Sequence, residues 1–137
     1  MADSRLSRML HVLVHMHLLG DTETSETIAL MLNTNPVVVR RTMAELKAHG
    51  IVSSTGGRNG GWTLARPADA ISVRDVYRAL VEGLPFSIAL SSDHPNCPVE
   101  RSVNALLVGS MTKAELTLSE DFAAVSIADL ARMVRPS

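Results

Sequence analysis

Residues 33–67 read NTNPVVVRRTMAELKAHGIVSSTGGRNGGWTLARP, and three signals in this stretch decide the fold. Asn35 is a good N-cap and Pro36 suits the first helical position, where its missing donor costs nothing. The spacing predicts a helix over Pro36 to His49 that buries Val39, Met43 and Leu46 and stops at Gly50. Val37, Arg40 and Arg41 are left on its other side. Beyond it, IVSST and WTLA have the apolar character of two short strands. Between them Gly56, Gly57, Gly60 and Gly61, half of the chain's eight glycines, surround Arg58 and Asn59. A link this short and glycine-rich suits a β-hairpin.

Working towards the N-terminus, Thr24 can cap a short helix from Ser25 to Leu32 with Ile28, Ala29 and Leu32 as its apolar stripe. Two short helices with a tight turn, the second basic on its exposed face, form a helix-turn-helix pattern. The hairpin directly after it is then a wing. An earlier helix is expected over residues 5 to 19, capped by Ser4 and stopped by Gly20, with Leu6, Met9, Leu10, Leu13, Met16 and Leu19 at helical spacing.

Towards the C-terminus one device occurs twice. In ISVRDV, Ser72 and Asp75 form a capping box while Ile71 and Val76 form a staple; in VSIADL, Ser126 with Asp129 and Val125 with Leu130 repeat it. Between them, Gly83 to Pro98 reads as a loop containing Pro85, Pro95 and Pro98. Pro98 to Ser119 reads as a long helix with Val103, Leu107, Met111, Ala114 and Leu118 on one stripe. Little chain remains for that stripe to fold against, so it is read as a dimerisation helix; the alternative is packing on its own winged domain.

The 137 residues fit one domain with a short appendage, and 46% apolar residues supply a real core that 3% aromatics leave to aliphatic side chains and methionine. No apolar run approaches the ~20 residues that span a bilayer, and no signal peptide is evident. A single cysteine, Cys97, fits a reducing cytoplasm. Net charge is −1 but uneven: residues 35–66 hold Arg40, Arg41, Lys47, Arg58 and Arg66 against Glu45 alone, a local +4, and the rest carries −5. This is either an electrostatic footprint for nucleic acid or an ordinary solvated face.

The glycine cluster lacks both P-loop and dinucleotide spacing. As a wing tip it makes sense: Gly60 and its neighbours let the backbone approach a sugar-phosphate chain, Arg58 can enter a minor groove and Asn59 can read the acceptors there. Trp62, the only tryptophan, is expected to anchor the hairpin base. Arg40 and Arg41 can each bridge a guanine or neutralise a phosphate. Thr42 and the amides at the Asn35 cap can add phosphate contacts, while Lys47 is expected to be solvated. His11, His15 and His17 lack the companions of a metal site and are read as structural. No catalytic constellation stands out. Cys97, with His94 three residues earlier, falls at the N-cap of the long helix, where dipole and free amides favour a thiolate and Glu100 disfavours it. An inert thiol and a sensing thiol both remain open.

The stretch MAELKAHGIVSSTGGRNGGWTLARPADAISVRDVYRALVEG (43–83), followed by CPVERSVNALL (97–107), resembles the Rrf-two family of bacterial winged-helix transcriptional regulators, the IscR/NsrR/CymR type. The resemblance covers the whole chain. It implies homodimers joined by a long helix, recognition helices in successive major grooves of a palindromic operator, and wings in minor grooves. By position, the recognition helix corresponds to Asn35–His49 with its readers at Val37, Arg40 and Arg41, and the wing to Ser53–Leu64. Members often carry an Arg-Gly pair where this chain has Gly56-Gly57, so its arginine is displaced to Arg58. Cluster-binding members carry three closely spaced cysteines before the dimer helix; only Cys97 is present here, and the first helix offers no acidic ligand beyond Asp3. A three-thiolate iron–sulfur site within one chain is therefore excluded. One thiolate with histidines, or a site shared across a dimer, is left open. The likeness is to cluster-free members that respond through a thiol, a small molecule or a partner protein.

The expectation is a mainly α protein with a small β-hairpin wing. A winged helix-turn-helix domain would occupy residues 1–83, and a sensor loop, dimerisation helix and C-terminal helix residues 84–137. The function expected is a sequence-specific DNA-binding repressor, homodimeric, cytoplasmic and not an enzyme, with no cofactor. The rival is a winged-helix module that docks a partner enzyme without specific DNA binding.

Overall fold

The computed structural model describes residues 3–20, 22–56, 60–81 and 88–134. Helix α1 (Arg5–Leu19) buries Met9, Val12, Leu13 and Met16. It ends at Gly20, whose φ of 71° lets its N–H reach the Met16 carbonyl. Its start differs from expectation: Ser4 occupies the cap position without a side-chain bond, and the Asp3 carboxylate instead accepts the Arg5 backbone N–H at 3.0 Å.

Helices α2 (Ser25–Leu32) and α3 (Pro36–Ala48) form the helix-turn-helix. Thr24 accepts the Thr27 N–H at 3.1 Å, and Asn35 accepts the Val38 N–H at 3.0 Å, so each helix has a side-chain cap. The turn uses Asn33 in the left-handed region at φ 54°, a conformation asparagine tolerates better than most residues. After α3, Gly50 at φ 72° reverses the chain, and the Ile51 N–H returns to the Leu46 carbonyl at 3.0 Å. That turn places Ile51 wholly inside the core.

Strands β1 (Val52–Thr55) and β2 (Gly61–Leu64) pair antiparallel, with Val52 opposite Leu64 and Thr55 opposite Gly61. A short 3-10 turn at Ala68–Ala70 leads to α4 (Val73–Leu80). Helices α5 (Pro98–Ala123) and α6 (Ile127–Val134) complete the chain.

Both expected capping boxes are present. Ser72 accepts the Asp75 N–H at 3.0 Å and Asp75 accepts the Ser72 N–H at 3.0 Å; Ser126 and Asp129 do the same at 3.0 and 2.9 Å. The two boxes also bind each other. The Val73 N–H donates to the Val125 carbonyl at 2.8 Å, and the Ile127 N–H donates to the Ile71 carbonyl at 2.9 Å. This bridge brings α6 onto α1, where Ile127 and Ala128 join Leu13, Ile28, Met43, Leu46 and Ile71 in one aliphatic core. Burying each large aliphatic side chain there contributes about 1.5–3 kcal/mol. Helix α6 thereby shares the core of the helix-turn-helix.

Helix α5 runs four residues past the expected Ser119, so its 26 residues span about 39 Å. Its stripe divides. At its middle Met111 is buried, Leu107 and Leu118 are half-buried and Ala114 is exposed, and at the C-terminal end Phe122 meets Tyr77 of α4 edge-to-face, with ring centroids 5.6 Å apart. At the N-terminal end Val99, Val103 and Leu106 are exposed. Among the described residues, no helix is long and apolar enough to cross a membrane.

Candidate nucleic-acid interface

The outer face of α3 carries Val37, Arg40, Arg41, Ala44, Lys47 and Ala48, all exposed. The buried Val39, Met43 and Leu46 fix this orientation on the opposite side. Asn35 is engaged as the cap. Its carboxamide accepts the Val38 N–H, the Val39 N–H donates to the Asn35 carbonyl and Pro36 has no N–H, so the Val37 amide is what the first turn leaves for an anion.

The cations differ in freedom. Arg40 lies 3.5 Å from Glu26 of α2, both side chains being more than half exposed. The Arg41 guanidinium has no ion pair or hydrogen bond among the described residues. Lys47 is exposed as expected, and its Nζ donates to Ser54 Oγ at 2.8 Å, which ties α3 to the first wing strand. Thr42 requires a correction. It is 7% exposed, and its hydroxyl donates to the Val38 carbonyl one turn back at 3.1 Å. That hydroxyl is directed along its own helix and is withdrawn from the phosphate-facing set.

The wing is fixed at its base. Trp62 exchanges both backbone hydrogen bonds with Glu23, at 2.8 and 3.0 Å, so the segment before α2 is held against β2 by a single antiparallel bridge. Its indole N–H donates to Ser25 Oγ at 2.9 Å, which bears out its role as anchor. Gly61 is required there, since a Cβ would lie 2.5 Å from the Glu23 carbonyl oxygen. A Cβ on Gly60 would collide with the Thr55 carbonyl oxygen, so Gly60 is needed to close the hairpin whatever it touches outside. Arg58 and Asn59, expected at the tip, lie outside the described residues.

Two cations were not among the expected site residues. Arg5 and Arg8 line a small groove with Thr34 and Val38, beside the turn that starts α3. Arg5 pairs with Asp3 at 2.8 Å and lies 3.6 Å from Glu45; Arg8 is exposed. Their spacing of three residues on α1 was a legible sign of a shared face. The Arg5 guanidinium, by its hydrogen bonds, holds the Asp3 carboxyl below its ordinary range.

Cys97 occupies the N-cap of α5, half-buried and without a side-chain cap bond. The loop before it is held by Glu100, which accepts from the Ser91 hydroxyl at 2.6 Å and from the His94 N–H at 3.0 Å. The Cys97 N–H donates to the His94 carbonyl at 3.0 Å; His94 and Cys97 are thus joined through main chain. His11 and His15 meet ring to ring at 4.7 Å. Among the described residues no three His, Cys, Asp or Glu side chains converge as metal ligands.

A helix-turn-helix whose second helix shows arginines outward, with a wing bonded to it at two points, defines a winged helix-turn-helix DNA-binding transcriptional regulator. Residues 2–133 match the family model of Rrf2, described as "Iron-dependent Transcriptional regulator". The chain belongs to the Rrf2 family. It is 32% identical over 130 residues to "Putative HTH-type transcriptional regulator YwnA" of Bacillus subtilis (strain 168), covering 95% of this chain and 96% of that one. Among solved structures, a "putative DNA binding protein" superposes with a TM-score of 0.76 at 31% identity, over 93% of this chain and 98% of its own. CymR, the global cysteine regulator of B. subtilis, superposes with a TM-score of 0.69 at 18% identity over 98% of each chain, a likeness of fold. These relatives are regulators and not enzymes, and they do not favour a docking module without DNA binding. The donor set of this chain does not fit an iron–sulfur cluster held within one chain, because such clusters take several thiolates and only Cys97 supplies one.

Proposed function

We propose that this regulator is a cytoplasmic homodimeric repressor that binds a palindromic operator, with Val37, Arg40 and Arg41 in the major groove, the helix start at Asn35 against a phosphate, and Arg58, Asn59 and Gly60 at the minor groove. The observation that carries the reading is the outward face of α3, where Arg41, exposed and without a partner among the described residues, shares a helix with Lys47, which bonds the wing through Ser54. An arginine so placed reaches guanine O6 and N7 or a phosphate. The exposed Val99, Val103 and Leu106 of α5 supply the apolar surface for a second copy, and a two-fold dimer presents its recognition helices one DNA turn apart, ~34 Å. A thiol, small-molecule or protein signal sets the affinity, with Cys97 beside His94 as the candidate sensor and no cluster held by a single chain.

Selection of bound duplexes from a random pool, with and without oxidant, tests this reading. The expected product is a palindrome, released by oxidant from the native chain and retained by Cys97→Ala. Failure to enrich any sequence would overturn the reading. An operator equally bound by the oxidised protein would remove the thiol signal alone.

A further inference from the structure

On the outer face of α3 the central row carries no hydrogen-bonding side chain. Val37 and Ala44 are seven residues apart, which on an α-helix places them within about 20° of one line and ~10 Å apart along the axis. Both are exposed, Val37 at 58%. The longer polar residues flank this row, and two of them are already engaged: Arg40 with Glu26 on α2, Lys47 with Ser54 on β1. Arg41 is the one free donor beside the row among the described residues.

An exposed β-branched side chain in the first turn of a DNA-reading helix has one complementary feature on base edges in the major groove, the C5-methyl of thymine. We infer that Val37 is a specificity-determining residue that packs on a thymine methyl in each half-site, and that Ala44 meets a second methyl two helical turns further on. The ~10 Å separation and the 3.4 Å rise per step put the two thymines at most about three base-pair steps apart. Arg41 lies about 40° from Val37 on the helix surface, at one flank of the aliphatic row. The flanking arginines supply the attraction to the phosphates, and the aliphatic row supplies discrimination among bases. This inference rests on the DNA reading above and names the chemistry of its specificity.

The test uses the full chain and the operator enriched by selection. Each thymine of a half-site is replaced in turn by deoxyuridine, which removes only the methyl group. At the position facing Val37, uracil is expected to weaken binding about fourfold per half-site, the factor that burial of one methyl-sized group provides. In Val37→Ala the uracil penalty at that position falls to near unity while the other positions keep theirs, the signature of a direct contact in a double-mutant cycle. Because the uracil scan is made against the native protein, the presence of a methyl contact is established independently of how Val37→Ala folds. An operator bound firmly and insensitive to uracil at every position overturns this inference and leaves DNA recognition standing. A penalty that persists unchanged in Val37→Ala overturns the assignment to Val37. If no duplex is enriched, the DNA reading fails and this inference with it.

Discussion

The indole N–H of Trp62 donates to the hydroxyl of Ser25 at 2.9 Å, and this bond joins the wing to the first residue of α2. Ser25 is 8% exposed, so water is a poor substitute partner for its hydroxyl. The wing and the helix-turn-helix are consequently one body, held by this bond, by the backbone pairing of Trp62 with Glu23 and by Lys47 with Ser54. In Trp62→Phe the ring's apolar contacts are mostly kept but Ser25 loses its donor. The expected loss is about 1–3 kcal/mol, the cost of leaving a buried polar group unpaired. Urea unfolding of Trp62→Phe, Ser25→Ala and the double variant measures it; the double variant should recover part of the loss. Strict additivity of the two single changes would argue that the bond contributes nothing.

Arg40 and Arg41 are adjacent in sequence yet unequal in structure, and their variants should differ. Arg41→Ala removes a free guanidinium and is expected to weaken operator binding by about 1–3 kcal/mol per half-site. Arg40→Ala should cost less, because Glu26 already offsets its charge. Exposed pairs of this kind contribute under ~1 kcal/mol to stability, so Glu26→Gln should leave the unfolding midpoint unchanged. It should release Arg40 for a phosphate and steepen the log–log salt dependence by about 0.9 per added contact. Titrations at several salt concentrations check both, and a Glu26→Gln protein that binds more weakly than the native one would contradict the account.

The Asp129 carboxylate is held below its ordinary 3.8, chiefly by accepting the Ser126 backbone N–H, with the Ser126 hydroxyl and Arg132 also contributing. A carboxyl whose pKa is depressed on folding binds protons more readily when unfolded. Its contribution to stability is present above the unfolded value and is lost as pH falls through the folded one. The α6 cap should therefore weaken only below about pH 4. Melting temperature followed from pH 6 to pH 2 should fall less steeply in Asp129→Asn, whose amide oxygen can still accept the bond. Parallel curves for the two proteins would show that the cap does not govern the acid limb.

What was legible in the sequence was local. Asn35 with Pro36, Ser72 with Asp75, and Ser126 with Asp129 each act within three residues, and all are present as bonded caps. The burial of Thr42 was also available, since it lies three residues from Val39 and four from Leu46, inside the apolar arc; its polarity misdirected the reading. The pairing of Ser72 with Ser126 was not available. It joins segments more than fifty residues apart by main-chain atoms, which carry no residue-type signal, and it sets Ile127 and Ala128 of α6 where they enter the winged core. The bond from Lys47 to Ser54 was hidden for a related reason: the two are near only because Gly50 and Ile51 reverse the chain between them.

Helix α5 carries the last prediction. Its C-terminal half is anchored on α4 through Phe122 and Tyr77, while Val99, Val103 and Leu106 stand on its free half, Leu106 at 70% exposure. If a second copy covers them, two glutamates there would place desolvated charges in the contact, at a cost of several kcal/mol. The double variant Val103→Glu, Leu106→Glu should then sediment as a monomer while its far-UV circular dichroism and Trp62 fluorescence stay native, because neither residue belongs to the core. Operator affinity should fall steeply, since a monomer engages one half-site and loses the linkage that makes the second contact intramolecular. Binding to an isolated half-site should be unchanged between native and variant proteins. A variant that remains dimeric would place the interface elsewhere on the molecule.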